Sequence, residues 1–309
     1  MKIESVIPAK AGIHPVKSED ILIVCGTTSS GKSSYAFNIA KEYKKEVNIL
    51  SVDSRQFYKD LPIVSGQDKS EDLPENVTLF GQGFLKATET PNITEFKKYA
   101  EKIITKSIEE NKKLIIVGGS GLYLKAITQN LANTKVPPDE IFRKQAVSKS
   151  VAELQEILKK QNPDRFNSLN NSDINNPRRL IRHIEIDRHC ESRIRAEAIS
   201  DNRDTSVNFS WTGLRKSPET LLQSIRERVI SRLKSGAVEE VRELQKNHPD
   251  TTLPIYSTLG VREIIRFINS EITEEELINI WVTNDNNYAK RQIVWFKKQP
   301  NIVWYDISI

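Results

Sequence analysis

Short apolar runs alternate with longer amphipathic stretches along the first part of this chain. "ILIVC" (21–25), "VNILSV" (47–52) and "KLIIV" (113–117) are of strand length and have no clean polar alternation. Such runs predict strands buried on both faces. Between the first two, residues 33 to about 43 place Phe37, Ile39 and Ala40 at helical spacing. "ITEFKKYAEKIITKSIEEN" (93–111) predicts a helix with a buried stripe of Phe96, Tyr99, Ile103, Ile104 and Ile108. Residues 60–92, rich in Gly, Pro and polar positions, read as irregular. Around Pro137-Pro138 the strand pattern stops, and about 139–200 reads as helices only, with polar "NNSDINNP" between two of them. "FSWTGL" (209–214) resumes a strand, helices follow at about 218–246 and 274–299, and "NIVWYDI" closes on a strand. The expected fold class is α/β, a parallel sheet flanked by helices, with an inserted all-helical subdomain. The expected organisation is a loose extension at 1–20, a core at 21–136 and 201–309, and the helical insertion at 137–200.

Composition narrows the class more than the function. Charged residues make up 28% of the 309 residues, as expected of a soluble globular protein. No segment approaches the roughly 18 apolar residues of a membrane span, so no membrane role is expected. The N-terminus lacks the sustained apolar region of a secretory leader. Two cysteines, Cys25 and Cys190, make neither a disulfide framework nor a zinc site, and a cytoplasmic location is the simplest expectation. The net charge of +5 permits a polyanionic partner without requiring one. His14, His183, His189 and His248 show no ligand spacing.

The first chemical signal is a glycine loop. Gly26-Thr27-Thr28-Ser29-Ser30-Gly31-Lys32-Ser33 matches G-x-x-x-x-G-K-[ST] at every fixed position and stands between a predicted strand and a predicted helix. Backbone N–H groups of such a loop point at phosphate oxygens, the lysine adds charge, and the Ser33 hydroxyl can bind Mg²⁺. A nucleotide-hydrolysing P-loop protein also needs a strand ending in Asp. "LIIVGGSG" has none, and the strand that does end in a carboxylate is "NILSVDSRQ". In an open parallel sheet the strand C-termini line the ligand crevice, so Asp53 and Ser120 should lie near the loop. An Asp there can bind Mg²⁺, act as a general base, or cap a helix.

With these residues assembled, the chain resembles the tRNA dimethylallyltransferase (tRNA isopentenyltransferase) family. The matching segments are "GTTSSGKSS", "VDSRQFYKDLPIVSG", "IIVGGSGLYLKAI", "NPRRLIRHIEI", "SGAVEEVREL" and "YAKRQIVWF…NIVWYD", in the family's order over about residues 21–306. The resemblance implies a P-loop NTPase-like fold used by a prenyltransferase of tRNA modification. Such an enzyme moves a dimethylallyl group from dimethylallyl diphosphate to N6 of the adenosine 3′ of the anticodon. It implies that Gly26 to Ser33 hold the diphosphate leaving group with Mg²⁺ through Ser33, and that Arg228 and Arg291 assist. Asp53 resembles the family's general base, and Ser120 stands where the family usually has Thr, near the reacting amine. Asp53-Ser54-Arg55-Gln56, Ser120, Arg143 and Arg178-Arg179-Leu180-Ile181-Arg182 resemble the tRNA-contacting positions. A monomer acting on the anticodon stem-loop is expected.

The arginine helix also reads from its own spacing. Arg178, Arg179 and Arg182 at i, i+1 and i+4 make a basic edge, extended by Arg188, Arg193 and Arg195, suited to phosphates; a solvated amphipathic helix is the other reading. A base modified inside structured RNA must leave its stack, and Phe57 and Tyr58 can either stack on neighbouring bases or pack in the core. Three departures from the family stand out: no histidines in "VTLFGQGF", Ser224 for a usual Arg, and Asn286 in "TNDNNYAKRQ" where Thr-Arg is usual. They weaken the expected grip on diphosphate, for which Arg226, Arg228, Lys290 and Arg291 are candidate replacements. The alternatives are a small-molecule P-loop enzyme (a nucleotide kinase or an adenylate isopentenyltransferase) and a tRNA-binding relative with impaired catalysis.

Overall fold

The computed structural model describes residues 20–129, 136, 138–193 and 207–307, with side chains to residue 188 in the last helix of the second segment. The expected extension up to residue 19, the borders of the insertion at 137 and 200–201, and the charges of Arg193 and Arg195 lie outside that description. Contacts divide the described residues into two compact units, one within Met1–Gln129 and Ser206–Ile309, the other within Asn130–Thr205.

The first unit is built on one six-stranded sheet in the order β3-β2-β4-β1-β5-β6, every pairing parallel. The strands are β1 Ile21–Gly26, β2 Val47–Val52, β3 Val77–Phe80, β4 Lys113–Gly118, β5 Phe209–Arg215 and β6 Ile302–Asp306. Strands β1 and β2 are buried along their whole length, as their unbroken apolar runs require. Successive side chains point to opposite faces. Ile21, Ile23 and Cys25 pack with Phe96, Ala100 and Ile104 of α3 (Ile93–Glu109) and with Leu124 of α4 (Gly121–Thr128). Leu22 and Val24 pack on the other face with Ala36 and Ala40 of α1 (Lys32–Glu42).

The edge strand β3 falls in the stretch read as irregular. It is four residues long and only half-buried, so its apolar pattern is weak. The short helix α2 (Pro62–Ser65) lies in the same stretch. Helix α3 buries Phe96, Ala100, Ile103, Ile104 and Ser107, which places Ile108 on the outer side, 57% exposed. Ser107 takes the inward place expected of Ile108 and receives a hydrogen bond from Asn48 Nδ2 (2.9 Å).

The second unit consists of α5 (Glu140–Ala146), α6 (Val151–Gln161), α7 (Pro163–Ser168), α8 (Asn171–Ile174) and α9 (Pro177–Arg193). Its core gathers Phe142, Leu154, Leu158, Leu180 and Ile184. After β5 come α10 (Pro218–Lys234), α11 (Ala237–Asn247), α12 (Val261–Ile268) and α13 (Glu274–Phe296). The stretch expected as one helix at 218–246 is thus two, broken where Gly236 takes φ +102°, a left-handed conformation that glycine adopts without strain. Helices α10 to α13 share a core of Ile225, Val229, Val241, Ile264 and the fully buried Trp281. No helix among the described residues is long and apolar enough to cross a membrane.

Candidate active site

The glycine loop joins β1 to α1 at the C-terminal edge of the sheet. Its shape is set by backbone sterics. Gly26 has φ +149°, and a Cβ there would meet the carbonyl oxygen of Leu214 at 2.4 Å; Ser29 and Gly31 also take positive φ. Gly31 caps α1 with no side-chain bond, so the first-turn N–H groups of the helix stay available to an anion. The hydroxyls of Thr27, Ser29 and Ser30 are buried without a hydrogen-bond partner. Such atoms are costly unless a ligand meets them. Lys32 folds back and donates from Nζ to the Thr27 carbonyl (2.5 Å). Burial pulls its ammonium down to about 8, partly offset by the nearby Asp53 charge.

A cavity of about 360 Å³ opens beside the loop. Thr28, Ser29, Gly31, Lys32 and Ser33 line it together with Asp53, Asp68, Gly119, Lys216, Ser224 and Arg228. The structure therefore brings Asp53, at the end of β2, to the same cavity as the loop. Asp53 Oδ1 accepts from the Arg55 backbone N–H (3.0 Å), the local turn that an Asp favours. Ser120, just past β4, accepts from the Ser54 N–H (3.4 Å). Burial and the Asp53 charge push Tyr288 up to about 12, so it stays a neutral donor beside Asp53.

Ser33 donates to Asp68 Oδ2 (3.2 Å), and Asp68 also accepts from Gln82 Nε2 (2.8 Å). A hydroxyl and a carboxylate are hard oxygen donors of the kind Mg²⁺ takes alongside substrate phosphates. Among the described residues no cluster of three His, Cys, Asp or Glu gathers anywhere, so a divalent ion here would complete its shell with phosphate and water. The pair fits Mg²⁺ in that mode.

The cations come from α10 and the end of β5. Ser224 and Arg228 lie one turn apart on α10, half-buried beside the stripe of Leu221, Ile225 and Val229. Arg228 donates to Thr28 Oγ1 (2.9 Å), and Lys216 donates to Ser224 Oγ (2.8 Å). Arg232, a turn beyond Arg228, donates to the Ser65 carbonyl (3.1 Å) and faces the buried Asp285. Both guanidinium groups crowd Gly66, where an added Cβ would lie 2.4 Å from Arg232 Nη2 and 2.6 Å from Arg228 Nη2. Gln292 of α13 clamps two loops at once: its Oε1 accepts from the Thr28 N–H (2.8 Å) and its Nε2 donates to the Gly119 carbonyl (3.0 Å).

Several expected residues are placed elsewhere. Arg291 is exposed and lies against the Tyr288 ring (5.7 Å to its centroid), away from the cavity lining. Arg226 bonds Asn279 (2.9 Å) on the outer side of α10. Gln56, by contrast, stays at the site: it lines the cavity beside Asp53 while donating to the Gly66 carbonyl (2.6 Å) and accepting from Ser51 (2.8 Å). Phe57 and Tyr58 are core residues, at 1% and 0% exposure, and do not stack on bases. Phe57 packs on Phe96, and the most exposed ring in that aromatic group is Phe84, stacked on Tyr99. Arg55 donates to Ser257 Oγ (3.0 Å).

Within the helical unit, Leu180 is fully buried, which removes it from any RNA contact, and Ile181 is partly buried against the same core. Arg143 and Arg182 both bond the buried Glu185 carboxylate, Arg143 through Nε (2.6 Å) and Nη2 (3.1 Å) and Arg182 through Nη1 (2.9 Å). Arg179 pairs with Asp173. Arg178 is exposed and makes no ion pair among the described residues. His183 is half-buried, which lowers its pKa and keeps it neutral at physiological pH.

Asp68, Lys216, Tyr288 and Gln292 are the site residues that sequence reasoning missed. Tyr288 and Gln292 stand inside the quoted "YAKRQ" region, but nothing in one sequence says which of its side chains turns inward.

The model of the IPP transferase family matches residues 56–299, a span that begins just after Asp53. The tRNA dimethylallyltransferase of Maridesulfovibrio salexigens is 30% identical over 298 residues, 94% of this chain and 93% of that protein. The tRNA dimethylallyltransferase of Picosynechococcus is 31% identical over 289 residues, 93% of each. Among solved structures, the tRNA isopentenylpyrophosphate transferase of Bacillus halodurans superposes with a TM-score of 0.66 at 26% identity, over 93% of this chain and 90% of that one. A eukaryotic dimethylallyltransferase acting on tRNA shares the fold, with a TM-score of 0.75 at 22% identity, over 94% of this chain and 74% of that one.

Proposed function

The chain belongs to the IPP transferase family, and from that premise we propose that its cavity holds the diphosphate of dimethylallyl diphosphate while Asp53 faces the N6 amine of the tRNA adenosine 3′ of the anticodon. It is a tRNA prenyltransferase. The observation that carries the finer reading is the shared cavity: Lys32 and Ser33 of the phosphate loop and the Asp53 carboxylate line one space.

In the reaction, the bond from the allylic carbon to the diphosphate oxygen breaks, and the adenine nitrogen forms a new bond to that carbon. The electron pair leaves with the diphosphate, and the surplus amine proton passes to the Asp53 carboxylate. Loop N–H groups, Lys32 and Arg228 stabilise charge as it develops on the leaving oxygen, which is where preorganised donors are most effective. Ser120, held beside the Asp53 turn by the Ser54 N–H, can hold the amine in line. Ser33 and Asp68 would hold Mg²⁺, which when bound neutralises diphosphate charge. Arg178 and its neighbours on α9 would meet tRNA phosphates and position the acceptor. The same reading has the protein work as a monomer in the cytoplasm.

The test incubates the full chain with dimethylallyl diphosphate, Mg²⁺ and either unmodified tRNA or AMP. Prenylated tRNA, located by nuclease mapping to the adenosine beside the anticodon, is the expected product. Product on AMP alone would overturn the reading, and tRNA bound but never prenylated would mark an impaired relative.

A further inference from the structure

We propose that Lys216 is a diphosphate-binding residue of this chain, supplying from the end of β5 a positive charge that residue 224 does not. This rests on the reading of the cavity as a diphosphate site. Strand β5 lies beside β1 with Leu214 in register with Gly26, so Lys216, two residues on, emerges next to the phosphate loop. Its ammonium carries three N–H donors. One is used by Ser224 Oγ at 2.8 Å, and both residues line the cavity.

A half-buried ammonium is ordinarily matched to a carboxylate. Lys216 forms no ion pair among the described residues; Glu227 acts on it only through a longer-range field. The carboxylates that line the cavity are engaged elsewhere, Asp68 with Ser33 and Gln82, and Asp53 with the Arg55 N–H. The natural counter-charge is therefore an anion in the cavity. The short Ser224 side chain leaves room on α10 for a lysine arriving from another element, and its hydroxyl steers the ammonium. A lysine binds phosphate as a point charge, without the two-pronged geometry of an arginine.

The experiment is calorimetric titration of the full chain with inorganic diphosphate in the presence of Mg²⁺, comparing wild type, Lys216→Met and Lys216→Arg. Loss of one charged contact predicts weakening by about tenfold or more in Lys216→Met, with Lys216→Arg close to wild type. The KM for dimethylallyl diphosphate should rise in parallel while tRNA affinity holds. A weakening of less than about fivefold in folded Lys216→Met overturns the proposal. Should that variant fail to fold, amine acylation of the wild type mapped by mass spectrometry decides: diphosphate must protect Lys216, and unchanged labelling overturns the assignment. Tight, Lys216-dependent diphosphate binding without any tRNA product would sustain the lysine's role and sink the functional reading, so the two failures are distinguishable.

Discussion

Asp53 and Lys32 border one cavity with opposite charges, and each has a separable signature. Replacing Asp53 by Asn keeps its size and its turn to Arg55 but removes the proton acceptor. Transfer should fall by about a hundredfold or more, with tRNA affinity within about twofold, measured by single-turnover prenylation and by filter binding. For Lys32 the sign follows from its cause. Burial lowers the ammonium to about 8, so the unliganded residue loses its charge as pH rises through that value. A bound diphosphate favours the charged form and raises its pKa. Donor affinity should therefore fall above about pH 8, by up to about tenfold per pH unit, with protons taken up on binding. The donor's own phosphates are ionised before then, so they do not mask the trend. Titration calorimetry near pH 7 and pH 9, in buffers of different ionisation heat, checks both. At this scale the loop and Asp53 were legible because a contiguous motif carries them. Lys216, Asp68 and Gln292 were not, because each acquires its role from a partner far away in sequence, Ser224, Ser33 and Thr28 respectively.

Helix α9 shows how an element revises a charge count. From spacing alone its arginines form one basic edge. In the fold, Arg182 and the α5 residue Arg143 hold the buried Glu185, Arg179 pairs with Asp173, and Arg178 is left exposed. An arginine already committed to a carboxylate gains less from a phosphate than one that is not. Arg178→Glu should therefore weaken tRNA binding more than Arg179→Glu and lower the slope of log affinity against log salt by about 1. Equal effects from the two variants, in binding measured across a salt series, would return α9 to the uniform edge that spacing suggests. The other elements were missed for local reasons. Strand β3 is too short and too open to leave a period, and the junction of α10 and α11 depends on the left-handed Gly236, which a helical apolar pattern runs straight through.

At the scale of the molecule, the order of strands turns a linear sequence into a site. Placing β4 between β1 and β2 sets Gly119 and Ser120 among the ends that carry the loop and Asp53, and placing β5 on the other side of β1 brings in Lys216. Sequence gave the parallel class from its apolar runs, but this neighbour relation has no linear signature. The Gln292 clamp spans the greatest distance, bonding a loop residue 264 positions earlier in the chain. That has a consequence for synthesis. In a growing chain the phosphate loop and the aspartate emerge long before the last long helix, and until that helix has left the ribosome the loop can hold the Arg228 bond to Thr28 but not the one from Gln292. Chains ended early, before Gln292, would hold every residue of the glycine motif and still lack the clamp that sets it against the end of β4.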